Sequence, residues 1–412
     1  MSMPRGFTVN GIGRLGISME NPRGPVPAVP VQENSLEFTG LAFAIHAGLS
    51  ILEKAQGRQA LQKVGQSVIE GWAKEDRMVF GGDPNQMPRY VDEFLRAIRS
   101  DFPNVLIADV GGLDVIAETR RIPGWDGNLF HYVPKMATGI FFNKTRVTQM
   151  ATAAAQANNS SSNGKKMAAR YKSFLFMLAV ATTHELTHCF VGYLAQGQQG
   201  FESYTPLQTT HLNYVGLRRR GHPVSGESGR WLENYLFGGS IEFYRDTADD
   251  AGQAGIPHIL NENGKALRIK SDCIIQLVTK IDEEFRTFPF ATSGKLLSNE
   301  DRRAKGLLSL GSTDAAGVQE SGTFMRAFRE VPRVLHNISA NMLSDAVIRP
   351  AMSVETLGTV LNTLGHGATV LAPSRGKKKK KKKKKNKRRG KKPQPTTDQE
   401  EPRNDDTSAT TS

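Results

Sequence analysis

The chain has 412 residues, of which 38% are hydrophobic and 23% charged, with two cysteines and a formal net charge of +14. These proportions are ordinary for a soluble globular protein with ample core, and two cysteines exclude a disulfide framework. The basicity is not spread over the chain: from residue 375 onward there are 16 basic and 5 acidic side chains, a net of +11, so the rest is close to neutral at about +3.

Residues 1–34 are rich in glycine and proline (Gly11, Gly13, Pro22, Pro25, Pro27, Pro30) and are expected to be a flexible lead. From Leu36 apolar residues recur through Leu41, Phe43, Ile45, Leu49 and Leu52, which predicts a buried helix, and the pattern from Leu61 to Trp72 predicts another. A turn follows at residues 81–85. Residues 90–102 then read as a helix with Val91, Phe94, Leu95 and Ile98 on one side, stopped by Pro103. Val105-Leu106-Ile107-Ala108-Asp109-Val110 reads as a short buried strand, and residues 138–143 as a second. The second lies just upstream of a long apolar helix, where a peptidase could use it as the edge along which an extended peptide pairs. Residues 157–166 are expected to be a polar loop. Beyond residue 197 comes a connection containing His211 and His222, then a helix ending at Gly238-Gly239 and a strand over residues 240–244. The last third adds a strand at residues 266–269, a helix at 273–285 and helices over 324–348 broken near Pro332. The globular part, residues 35–372, gives way to a polar tail over 373–412.

Thr182-Thr183-His184-Glu185-Leu186-Thr187-His188 carries the chemistry. Two histidines four residues apart on a helix project one turn apart from the same face, so both can reach one metal ion. Glu185 lies about 100° around the helix from His184, where a base can take a proton without ligating. By chance such a pattern arises in roughly one chain of this length per hundred. Here Phe174, Leu175, Phe176, Met177 and Leu178 run straight into it, so the helix is buried and its polar groups need partners. Catalytic zinc takes three protein ligands. A third histidine six residues beyond His188 is missing, since Leu194 stands there. Glu227 and Glu233, on the helix that follows, are the acidic candidates. Their six-residue spacing is about 240° of helix, so only one should bind. Gly229, one turn before Glu233, gives that face room for close packing and favours Glu233, with Glu227 as its supporting partner or substitute.

His184-Glu185-Leu186-Thr187-His188, followed by Glu227-x-Gly229-x-x-x-Glu233 and Phe237-Gly238-Gly239, resembles a group of uncharacterised fungal proteins with a zinc-metallopeptidase signature. More distantly it is similar to the gluzincins, clostridial neurotoxin light chains among them, in which a ligand glutamate precedes Phe-Gly-Gly. The resemblance covers about residues 180–240. It implies an α+β, zincin-like metallopeptidase domain, helix-rich with a small mixed sheet. It also implies zinc on His184, His188 and Glu233, and Glu185 as general base for hydrolysis of a peptide or protein substrate. Tyr193, Tyr235, Tyr244, Arg230 and His222 are candidates to stabilise the oxyanion.

Residues 377–385 are nine consecutive lysines, and seven more positions extend the basic run to residue 392. Such a run repels itself and is expected to be disordered, offering a nuclear or nucleolar address or salt-sensitive attraction to nucleic acid. The alternative function is therefore a non-catalytic nuclear or nucleic-acid-associated protein with a structural or vestigial zinc site. The cysteine content, and the lack of an apolar stretch after the first basic residue, predict an intracellular, reducing location. No span of the membrane is expected, because the best apolar run, residues 173–194, carries the histidine motif.

Overall fold

In a computed structural model, the apolar patterns of residues 36–52 and 173–194 become two buried helices packed side by side, and the rest of the fold is arranged around them. The structure describes residues 12–21, 28–77, 79–110, 115–122, 124–157, 162–198, 205–212, 214, 216–217, 223–281, 288–309 and 328–330.

The first half contains β1 (Ile17–Glu20), β2 (Ala28–Pro30), α1 (Leu36–Glu53), α2 (Ala55–Lys74), α3 (Met87–Ser100), β3 (Asn104–Ala108) and β4 (Ala117–Arg121). There follow α4 (Pro134–Ala137), β5 (Thr138–Asn143), α5 (Lys144–Ala157) and the long α6 (Ser162–Leu194). Next come β6 (Gly216–Leu217), β7 (Pro223–Ser225), α7 (Ser228–Phe237), β8 (Ser240–Asp246), β9 (Ile256–Leu260) and β10 (Ala266–Ile269). The described chain ends with α8 (Ser271–Lys280), β11 (Thr292–Leu297), α9 (Asn299–Ala304), β12 (Leu307–Ser309) and β13 (Phe328–Glu330).

The architecture is α+β, helix-rich, with two larger sheets. The first runs in the order β13-β4-β5-β3-β1-β2. Its centre is parallel, β1 to β3 to β5, while β4 is antiparallel to β5 and β13 parallel to β4. Every residue of β3 and β5 is buried, as expected of strands covered on both faces. The second sheet, β11-β10-β9-β8-β12, is antiparallel throughout.

α1 and α6 approach closely because α1 carries a glycine at the crossing. A Cβ on Gly48 would lie 2.6 Å from the Ala179 carbonyl oxygen and from Thr182 Cβ. The Thr183 hydroxyl donates to the Gly48 carbonyl at 3.1 Å, so this polar residue on a buried helix is satisfied by its neighbour. Ser35 starts α1 by accepting from the Phe38 N–H. Both helices are long and apolar enough to cross a membrane by composition, yet the window of α6 is wholly buried inside the protein and that of α1 mostly so.

Four expectations change. The segment read as a flexible lead supplies Ile12, Leu15 and Ile17 to the core and β1 to the first sheet. The polar stretch before the motif helix is partly its first turns, since α6 starts at Ser162. The strand at residues 138–143 is interior, between β4 and β3, and cannot serve as a free edge. The strand outside it is β4, Ala-Glu-Thr-Arg-Arg, whose polar composition hid it. Of the helices expected over residues 324–348, only 328–330 are described, and these form a strand. The tail from residue 373, with the lysine run, lies outside the described residues.

Candidate metal centre

α6 presents His184, Glu185 and His188 at or below 1% exposure. α7 crosses this face, and Gly229 makes the crossing possible: a Cβ there would stand 2.4 Å from His184 Cε1 and Nε2. The helix ends with Gly238 in the left-handed region, φ 84°, which frees the chain to turn into β8.

Glu227 is the residue preceding α7, with non-helical backbone (φ −139°, ψ 89°), and its carboxylate does not cap the helix. It points at the imidazole pair instead. Its Oε1 lies 2.8 Å from His188 Nε2 and 3.3 Å from His184 Nε2, and the two Nε2 atoms are 3.2 Å apart. Glu233 meets the other side of the ring, with Oε1 2.7 Å from His184 Nδ1. Its Oε2 accepts from the Ile241 N–H at 2.8 Å and from Arg230 Nη1 at 3.0 Å. The structure places the two glutamates differently from the sequence expectation: Glu227 faces the point between the two Nε2 atoms and Glu233 stands behind the His184 ring. Only one of the two meets both Nε2 atoms, as their spacing implied, but the packing room at Gly229 did not select Glu233: Glu227 precedes the helix, so its direction is set by the chain entering α7. That chain is fixed by the Glu227 N–H donating to the Thr209 carbonyl at 2.9 Å.

The hydrogen-bond chain fixes the tautomer. Burial opposes the charge of Glu233, but Arg230, His184 and the Ile241 N–H hold its pKa below the ordinary value. An ionised carboxylate only accepts, so His184 donates from Nδ1; burial opposes a charge on the ring but Glu227 and Glu233 raise its pKa, and once the ring is neutral its lone pair is on Nε2. His188 Nδ1 is 3.1 Å from the Ser228 hydroxyl, so its Nε2 also faces the shared point. Burial likewise opposes ionisation of Glu227, and the neighbouring His188 and His184 overcome it and drive its pKa well below the usual range. His184, His188 and Glu227 therefore form a buried group that could hold a metal ion, their donor atoms all within 4.8 Å of one another. The donor spacings suit a tetrahedral ion, since bonds of about 2.0 Å give edges of roughly 3.3 Å.

Glu185 does not join that group. Its Oε2 is 2.7 Å from the Thr119 hydroxyl on β4, and its Oε1 has no hydrogen-bond partner among the described residues. Burial pushes its pKa up to about 7, against the downward pull of His184, His188 and Thr119. A carboxylate poised near neutrality beside a metal site has the acidity of a general base. Thr119 was missed by sequence reasoning, and no local signal marks it within a strand of polar character.

Behind Glu233 the network continues. Arg230 reaches the Ile241 carbonyl at 2.7 Å and Glu242 at 2.9 Å, and Glu242 accepts from Tyr214 at 2.6 Å. All are buried. This leaves Arg230 committed to Glu233 and Glu242 and not to an oxyanion. Tyr193 donates to the Leu129 carbonyl at 2.8 Å within an aromatic cluster that includes Phe94, Trp125 and Tyr132. Tyr235 is half exposed and stacked on Trp231, and the Tyr244 hydroxyl is buried in the second sheet with no hydrogen-bond partner among the described residues. His222 lies outside the described residues. His211 bonds Ser240 through Nδ1 at 2.7 Å.

Comparison with protein-family models, curated proteins and solved structures finds no match to this chain.

Proposed function

We propose that the protein is a zinc-dependent metallopeptidase of zincin-like architecture, with His184, His188 and Glu227 as ligands and Glu185 as general base. One observation carries this reading. Two imidazole Nε2 atoms and an ionised carboxylate converge on a single buried point, an arrangement that is costly unless a cation, metal or proton, sits there. Zinc fits the mixed nitrogen and oxygen donors, and when bound it supplies acidity to a water and polarises a carbonyl. Glu185, whose Oε1 has no hydrogen-bond partner among the described residues and whose acidity is near neutral, would be the group that accepts a proton at that atom and hands it on to a leaving amine. Thr119 positions this carboxylate, and Glu233 with Arg230 holds the His184 ring in the productive tautomer.

The near-complete burial of the cluster also favours a second reading, a metal held for structure alone. Closed structural sites take four protein ligands, whereas three donors converge among the described residues. Metal analysis and turnover separate the readings. The purified protein is expected to hold about one zinc per chain, lost in His184→Ala. Glu185→Gln should keep the zinc and lose peptide hydrolysis. Undiminished hydrolysis by Glu185→Gln would remove the mechanism, and a zinc-free parent would remove the site.

A further inference from the structure

The two imidazoles are backed by groups of different kinds. Behind His184 stands Glu233, an ionised carboxylate that can only accept, so the bond from His184 Nδ1 runs one way. Behind His188 stands a hydroxyl: Ser228 Oγ is 3.1 Å from Nδ1. A hydroxyl both donates and accepts, so this bond can run either way, and its direction decides which nitrogen of a neutral His188 carries the proton. Ser228 is wholly buried, and the Thr205 hydroxyl, itself buried, donates to it at 3.4 Å. Thr205 is set in place by the chain entering α7, where its carbonyl accepts from the Gly226 N–H at 3.1 Å. Glycine is required there, because a Cβ would meet the Pro206 and Thr209 carbonyls.

With Thr205 donating to Ser228, the Ser228 proton is left for His188 Nδ1, and a neutral His188 then carries its own proton on Nε2. That N–H faces Glu227 Oε1 at 2.8 Å and, on a neutral His184, an accepting Nε2 at 3.2 Å. The line is satisfied and Nε2 is closed to a metal. For Nε2 to offer its lone pair, the proton must be on Nδ1, so Ser228 must accept it and turn its own proton back to Thr205, whose oxygen has lone pairs to receive it. The link between the two hydroxyls is the longest in the line from Thr205 to Glu233, so reversal there gives up least.

We propose that Ser228 is the positioning residue for His188 and that, with Thr205, it forms a two-way hydroxyl relay. Donating toward the ring, it keeps Nε2 protonated in the metal-free protein; accepting from the ring, it opens Nε2 to the metal. The inference rests on the metal reading for its purpose, but the ring can be observed without zinc or turnover. Its consequence is a chain that folds before loading, with the buried nitrogen and hydroxyls paired in both states.

The test uses the full-length chain with isotope-labelled histidines, whose nitrogen–proton correlation spectra show which ring nitrogen is protonated. At mildly alkaline pH the metal-free parent should show His188 protonated on Nε2 and His184 on Nδ1. Added zinc should move the His188 proton to Nδ1 and leave that of His184 where it was. In metal-free Ser228→Ala, His188 Nδ1 loses its donor and should shift to the position of an unbonded lone pair, and zinc should bind about 10–100-fold more weakly. Thr205→Val, close in shape to threonine, keeps Ser228 but removes the acceptor for its proton. It should weaken zinc about tenfold, and Thr205→Ser should restore the parental value. A metal-free parent with His188 already protonated on Nδ1 would overturn the inference and leave the metal reading intact, as would parental zinc affinity in both Ser228→Ala and Thr205→Val. A parent with the Nε2 proton, and the Nδ1 shift in Ser228→Ala, that takes up no zinc would support the resting direction of the relay while removing the metal reading.

Discussion

Alanine at position 229 would put its Cβ 2.4 Å from Cε1 and Nε2 of His184 and 2.5 Å from Cδ2. Ordinary contact begins at 3.4 Å, so helix and ring must separate by about 1 Å, several times the roughly 0.2 Å tolerance of a metal–ligand distance. The ring has no easy retreat, because Nδ1 is held by Glu233 at 2.7 Å and its backbone lies in the wholly buried part of α6. Overpacking of this kind costs about 1–3 kcal/mol. For a folded part of this size that is about 1–2 °C of Tm for each kcal/mol. Zinc affinity, read by competition with a chromophoric chelator, should fall by more than the roughly 10–100-fold that follows loss of a hydrogen-bonding partner behind a ligand. Gly192→Ala is the control: its Cβ meets only Arg121 Nε at 3.5 Å, and alanine is the better helix former. Gly229→Ala with parental zinc affinity and parental Tm would refute the packing of α7 on His184 and with it the site.

The two glutamates should separate in the same assay. Glu233→Gln is expected to weaken zinc by about 10–100-fold, while Glu227→Gln, which removes a charged donor, should weaken it further; the reverse order would restore Glu233 as ligand. Arg230→Met strips Glu233 and Glu242 of their buried cation and should cost about 3–5 kcal/mol in chemical denaturation, the loss that follows breaking a buried pair from one side. If Glu185 is the base, kcat/KM should fall as pH drops below about 7, where burial holds its pKa. Thr119→Val removes a hydrogen bond to the ionised form, so that acid limb should move to higher pH with zinc content unchanged; an unmoved limb would count against Glu185.

How much of this was legible in the sequence varied with the physical signal involved. α1, α3 and α6 announced themselves through apolar periodicity, because their burial is decided by side-chain pattern alone. The motif gave His184, Glu185 and His188 at once, since a fixed spacing on a helix fixes direction. Gly229 was also legible as a place of close approach, and His184 lies on it. The choice between the two named glutamates was not, because Glu227 takes its direction from a non-helical residue pinned to Thr209 rather than from helical geometry. β4 and β1 were hidden for a related reason: Glu118, Arg120 and Arg121 suppress the apolar signal of a strand, and the glycines and prolines around β1 mask Leu15 and Ile17. Strand order is decided by pairings far apart in sequence, so nothing local could place residues 138–143 inside the sheet and β4 outside it.

Charge balance explains why so much of the second half of the chain converges behind one imidazole. Glu227 and Glu233 are ionised and buried, and Arg230 offsets only one of them while also serving Glu242. A cation at the shared point completes the neutralisation, and without it protons must do so. That is the sense of the His184 shift: burial opposes its charge, but Glu227 and Glu233 outweigh burial and raise its pKa. A metal must then displace the Nε2 proton, so its uptake releases a proton and its affinity must climb with pH until the ring is neutral. Calorimetric titration in buffers of different ionisation enthalpy reads that release directly. No proton release on binding near neutral pH would mean that the metal does not take the Nε2 position, and that the convergence of Glu227 on the two histidines serves only to hold a charged imidazole.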